Sequence, residues 1–354
     1  MLSPSIRVKT VALAAAAAAA AGLATAVNTA DADAFVADRA QMVARITGPG
    51  SINDTVGRYN VVGTDLGILW DNGHNEVLAA FGDTQSFNGW SLLRGNLFAL
   101  RSNMLLRSKD RNLADGLHFT GHSGPPGYAK RVVKASRRDV TIVPTGGVSV
   151  NGKQYMGMQA VNLWGDPGRW QTRYGAIAVS GNNGRTFKRI VARRPNYKGN
   201  RKFQQVAFMK DGGFVYVYGT PSGRFGAVYL ARVPEGKIEN LGAYEYFAGG
   251  HWVKGPSLAT PIMSAPTGEI SVAYNKYIGR YVSLATRDGA TMRTAPRPEG
   301  PWTRGHNIVP ATDPIGGYAP FIHPWSLTGP TMYFTYSIWH GYQVYFMKVN
   351  LRRP

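Results

Sequence analysis

The sequence predicts an all-β fold, a five-bladed β-propeller filling residues 35–354 as one domain, on three observations. After residue 40 the chain repeats one unit, a short apolar or alternating run closed by Gly, Asn, Asp or Pro: KQYMGMQAVNLWG, YGAIAVSGNNGRTFKRI, GGFVYVYGTPSGRFGAVYLARV, GEISVAYNKYIGRYVSLATR and TMYFTYSIWHGYQVYFMKVNL. Such runs read as strands, and no amphipathic helix of more than three turns competes with them. The 43 glycines and 21 prolines supply the turns that many short strands need. Finally, a mature chain of 320 residues divides into five units of about 64, room for four strands and long loops, where six or seven units would be tight.

The elements follow in order. Arg7 and Lys9 precede an alanine-dominated run from Val11 to Ala26, and Ala32-Asp33-Ala34 offers small residues for cleavage. Residues 1–34 are therefore expected to be a secretory signal peptide, the run being short and poor in large side chains for a spanning helix. Cysteine is absent, so an exported chain must hold itself together through its core and sheet closure, and thiolate metal sites and cysteine nucleophiles are excluded. The formal net charge is +20. An excess of that size points to anionic envelope polymers or lipid headgroups rather than nucleic acid, although a solvated basic surface without a specific partner accounts for it equally well.

The first strand pair lies in GTDLGILWDNGHNEVLAAFGDT, residues 63–84. Leu66 to Trp70 and Val77 to Phe81 are apolar, and Asp71-Asn72-Gly73-His74 between them is a hairpin turn signal. A hairpin brings its ends together, so Asp65 and Asp83 are expected at one edge of the sheet, some three residues out of strict register. Each alone reads as a turn aspartate beside a glycine. Together they read as a functional pair, with Trp70, Phe81 and Phe87 as apolar neighbours that raise a carboxyl pKa.

Further along, Ser180-Gly-Asn182-Asn-Gly184-Arg-Thr186-Phe187 resembles the Asp-box, a structural hairpin turn of sialidase-like propellers, with Asn for the acid and Phe for the tryptophan. The last run, Val344 to Leu351, is expected to pair with an N-terminal strand and close the ring. Among 18 mature acids, Glu269 is the third candidate. It opens GEISVAYN, where Glu269 and Asn275 share one strand face and could meet sugar hydroxyls. Asp71, Asp166, Asp211, Asp288 and Asp313 sit in turns. Aromatic and planar candidates for a sugar site are Trp90, Trp164, Trp170, Tyr318, His323 and Trp325, and Arg224 could bind an anion or brace a loop. The histidines show no HExxH or paired spacing, so neither metal nor cofactor is expected.

GTDLG at 63–67, FGDT at 81–84, GTPSGR at 219–224, GEISVAYN at 268–275 and GGYAPFIHP at 316–324, in this order across nearly the whole mature chain, resemble an actinobacterial family long catalogued as a domain of unknown function and since associated with endo-D-arabinanases. The resemblance implies a five-bladed β-propeller glycoside hydrolase that cuts D-arabinofuranosyl chains of arabinogalactan or lipoarabinomannan, with its essential aspartates in the first two motifs, here Asp65 and Asp83. The chemistry is consistent with this, since glycoside hydrolysis needs one carboxyl to protonate the leaving oxygen and another as nucleophile or base. The competing reading is a non-catalytic wall-polysaccharide-binding propeller, which would keep the groove and the aromatics without needing both aspartates close together.

Overall fold

Five antiparallel sheets stand as blades around a central channel. The computed structural model describes residues 36–87, 98–312 and 316–353. Blade I holds Leu66–Asp71, Val77–Phe81, Met104–Ser108 and Gly121–His122, and a small hairpin, Thr84–Ser86 with Ala99–Arg101, branches from it. Blade II holds Thr141–Val150, Lys153–Trp164, Trp170–Ser180 and Arg189–Pro195. Blade III holds Gln205–Asp211, Phe214–Thr220, Gly226–Pro234, Glu245–Ala248 and His251–Val253, with Pro261–Thr267 also paired to its third strand. Blade IV holds Ile270–Asn275, Arg280–Thr286, Gly289–Ala295 and His306–Pro310. Blade V holds Gly317–Ile322, Thr331–Ile338 and Gln343–Arg352.

The last blade is completed from the other end of the chain. Gln41–Arg45 pairs with Gln343–Arg352, Met42 opposite Met347 and Arg45 opposite Tyr345, and Val36–Ala37 pairs with the end of the same strand. The ring is thus closed by an N-terminal strand, as the sequence predicts, and the edge of the final strand is covered.

The core divides by interface. Trp70, Leu78 and Leu105 pack with Met156 and Phe187 between blades I and II, whereas Leu69, Val77 and Phe81 pack with Val344 and Phe346 between blades I and V. Successive side chains of one strand point to opposite faces, and here both faces are interior. That is why all five residues of Val77–Phe81 are apolar and buried instead of alternating with polar ones.

Leu66 lies opposite Phe81, with a bulge at Gly67, and the Gly82 N–H donates to the Asp65 carbonyl at 3.1 Å. Asp83 is therefore one residue out of register with Asp65, not three. In the Asp-box-like turn, Ser180 Oγ accepts the Gly184 N–H at 2.9 Å and Asn182 Oδ1 accepts the Thr186 N–H at 3.0 Å. Phe187, 5% exposed, packs between blades I and II. Asparagine performs the acceptor role of the missing acid. Among the described residues no helix is long and apolar enough to cross a membrane.

Candidate active site

The inner strand of each blade runs the same way along the channel, so five strand starts converge at one mouth. Asp65 precedes the inner strand of blade I, Thr141 opens that of blade II, Gln205 that of blade III, Glu269 precedes that of blade IV, and Tyr318 is second in that of blade V. Asp83 joins them because the second strand of blade I returns to the same end. Together with Trp164, Trp170, Trp339 and Tyr342, all except Thr141 line a cavity of about 590 Å³, a size that suits a sugar chain.

Asp65 is held from two sides. The Tyr318 hydroxyl donates to its Oδ2 at 2.9 Å, while its Oδ1 is buried and has no partner among the described residues. A Cβ on Gly82 would lie 2.2 Å from that Oδ1, so only glycine lets the carboxyl sit there. Burial and the neighbouring Asp83 push the Asp65 carboxyl up to about 7, with a smaller push from Glu269, against the Tyr318 hydrogen bond and the Arg224 charge. Asp83 accepts from the Thr141 hydroxyl, and the Tyr342 hydroxyl donates to its backbone carbonyl at 2.9 Å. Burial pushes Asp83 up to about 6, opposed by the Thr141 bond.

Glu269 and Arg224 form a fork. Arg224 Nε lies 3.1 Å from both carboxylate oxygens and Nη2 2.9 Å from Oε1. The guanidinium, despite burial, holds Glu269 below the usual carboxylate range, so this third acid stays ionised. Arg224 also stands 4.4 Å over the Tyr318 ring, which ties the fork to Asp65. Its N–H donates to Gly168 O at 2.9 Å, fixing the blade III loop against the Trp164–Trp170 hairpin of blade II. Those two tryptophans meet edge to face at 5.8 Å, and Trp170 Nε1 donates to Gln159 Oε1 at 2.8 Å.

Thus Asp65, Asp83, Glu269, Arg224, Tyr318, Trp164 and Trp170 come together, and other candidates do not. Asn275 is fully buried at the far end of its strand, where Oδ1 accepts the N–H groups of Tyr277 and Ile278 at 3.0 and 3.2 Å. His323 is fully buried between Trp325 and Phe346, its Nδ1 accepting the Trp325 N–H at 3.3 Å. Burial, helped by Arg111, lowers its pKa to about 3, so it remains neutral and packs as a core residue away from the cavity. Trp325 sits under Arg111 and donates to Asp71, also away from the cavity. Trp90 and Asp313 lie outside the described residues. The expected apolar neighbours are also corrected: Trp70 bonds Gln154 inside the blade I–II interface, Phe81 packs on Phe119, and Phe87 is exposed. Desolvation comes from Leu66, Tyr318 and Tyr342. Thr141, Gln159, Gln205, Trp339 and Tyr342 were not among the sequence candidates. Thr141, Gln205, Trp339 and Tyr342 share one signal, a position at or next to a strand end on this face, whereas Gln159 lies inside Lys153–Trp164.

The chain is 29% identical over 307 residues to notoamide biosynthesis cluster protein J of Aspergillus sp. (strain MF297-2), covering 80% of this chain and 81% of that one. Among solved structures it resembles a protein of Bacteroides ovatus (14% identity, 83% and 87% of the two chains, TM-score 0.57) and the exo-β-1,3-galactanase of Phanerochaete chrysosporium (11% identity, 88% and 64%, TM-score 0.51). At these identities the likeness is one of fold. The model of the family described as a domain of unknown function, DUF4185, matches residues 50–348, most of the chain, and the protein belongs to that family.

Proposed function

We propose that the protein is an exported glycoside hydrolase, an endo-D-arabinanase, that cleaves D-arabinofuranosyl linkages in arabinogalactan or lipoarabinomannan through Asp65 and Asp83. The observation that carries this reading is that both carboxyls share one cavity with their pKa values raised to about 7 and about 6. Groups lifted into that range can hold and exchange a proton near neutrality. Asp65 has the larger push and a bare Oδ1, and it serves as the proton donor to the leaving glycosidic oxygen. Asp83, steadied as an anion by Thr141, attacks the anomeric carbon or takes a proton from the attacking water. Trp164, Trp170 and Trp339 offer faces for furanose C–H surfaces, and the Glu269–Arg224 fork meets the hydroxyls. The choice of D-arabinan rests on the motif resemblance of the sequence.

The test uses the mature chain with arabinogalactan and with lipoarabinomannan, reading released oligosaccharides by mass spectrometry. Wild type is expected to shorten both polymers, and Asp65→Asn and Asp83→Asn each to lose at least ~1000-fold in rate while still binding them, because an amide neither donates the proton nor acts as nucleophile or base. Wild type that binds arabinan yet releases nothing between about pH 5 and 8 would sink the hydrolase reading and leave a wall-binding propeller.

A further inference from the structure

A second cavity, of about 740 Å³, opens between the Pro261–Thr267 strand of blade III and the outer half of blade IV. Its character differs from that of the first. Arg287, Arg293 and Arg304 line it, with Asp288 as the one acid among its lining residues. None of the ion pairs among the described residues joins Asp288 to these arginines.

Arg293 is the central observation. It is 6% exposed, and no hydrogen bond or ion pair to its guanidinium occurs among the described residues. Burial and the nearby Arg287 charge both act against its charged form. The indole N–H of Trp302, in the wall of the same cavity, is buried without an acceptor. A Cβ on Gly305 would lie 3.5 and 3.6 Å from Arg293 Nε and Nη2, so the absence of a side chain there keeps the guanidinium uncovered on that side.

A buried charge without a partner is costly, and in an ordinary core an arginine is matched by a carboxylate. Glu269 and Arg224 show that arrangement in the first cavity. Here three guanidiniums face one carboxylate, Arg287 donating to Ser264 Oγ at 3.4 Å, which is a charge balance that suits an oxyanion. We infer that this cavity binds a phosphate group, with Arg293 as its inner ligand and Arg287 and Arg304 closing over it from the rim. Guanidinium groups match phosphate oxygens two at a time, and three of them suit a dianion. The volume exceeds that of the free ion and leaves room for the sugar that carries it. The Thr286 N–H donates to the Glu269 carbonyl at 2.9 Å, so Arg287, the next residue, lies at the end of blade IV that carries Glu269.

The experiment titrates the mature chain at low ionic strength with inorganic phosphate, ribose 5-phosphate and ribose, by isothermal calorimetry. One phosphate per chain is expected to bind at a site that Arg293→Met weakens at least tenfold and that the Arg287→Gln/Arg304→Gln double variant weakens severalfold, with ribose inert. Tighter binding of ribose 5-phosphate than of phosphate supports a sugar phosphate as occupant, and equal binding supports the free ion. Because the Arg293 side chain has no ion-pair partner when the site is empty, Arg293→Met is also expected to melt no lower than wild type in phosphate-free buffer. If Arg293→Met does not fold, the double variant at the rim carries the test alone. Phosphate binding that is absent in wild type, or unchanged in the variants, overturns the site.

Discussion

Asp65 connects chemistry to stability through one proton. Its carboxyl titrates at about 7 in the fold, against about 3.9 in an unfolded chain. The folded state thus holds the proton more tightly, and the stability this contributes is full below about pH 4 and lost as pH rises through about 7. Asp65→Asn, neutral at every pH, should therefore match wild type in melting temperature near pH 4 and exceed it by a few degrees near pH 8, as scanning calorimetry would register. A variant less stable than wild type at pH 8 would contradict the raised pKa. Wild-type kcat/KM should peak where the pair shares one proton, between about 6 and about 7. These two aspartates were legible in the sequence because a hairpin turn fixes which residues meet. Thr141 and Gln205 were not, since a lone polar residue at a strand start is identical in sequence whether it faces a cavity or water.

The turn Ser180–Phe187 shows what a strand connection contributes on its own. Asn182→Ala removes the acceptor for the Thr186 N–H and the donor to Thr186 Oγ1, and is expected to lower stability by about 0.5–2 kcal/mol, as loss of a local capping bond does. Denaturant unfolding would measure the loss as a lower midpoint at unchanged slope, with activity unaffected because the turn does not line the cavity of Asp65 and Asp83. The Glu269 strand illustrates a limit of reading faces. Glu269 and Asn275 were expected to work side by side because alternation gives them a common face. They are six residues apart, about 20 Å along an extended chain, so one lies at the cavity and the other closes a turn near the opposite end. Periodicity identifies a face, but the end of the channel a residue occupies depends on strand direction. His323 departs differently: it was a candidate for the sugar site, yet Phe346 and Trp325 bury it completely as a core residue.

At the scale of the whole molecule, number of blades and mode of closure were both readable from length and turn spacing. The phosphate cavity was not, because Arg287 and Arg293 on one hairpin and Arg304 in the loop after it do not stand out in a chain with a net charge of +20. Closure also makes a prediction. Deleting residues 36–45 uncovers one edge of Gln343–Arg352, and the truncated chain is expected to lose cooperative unfolding or to self-associate through that edge, visible by size-exclusion chromatography. A truncated monomer with wild-type melting would show that the seam is dispensable. N-terminal sequencing of exported protein is expected to begin near Phe35, which leaves the Gln41–Arg45 strand intact on the mature chain; an intact Met1 would refute processing. The seam has a further consequence in time. Residues 41–45 and 345–348 can pair only after every blade between them has been made, so before closure the chain is an open arc of blades. Ring closure joins the two segments of greatest sequence separation in the fold, and it is expected to be the slow, last-formed contact of folding.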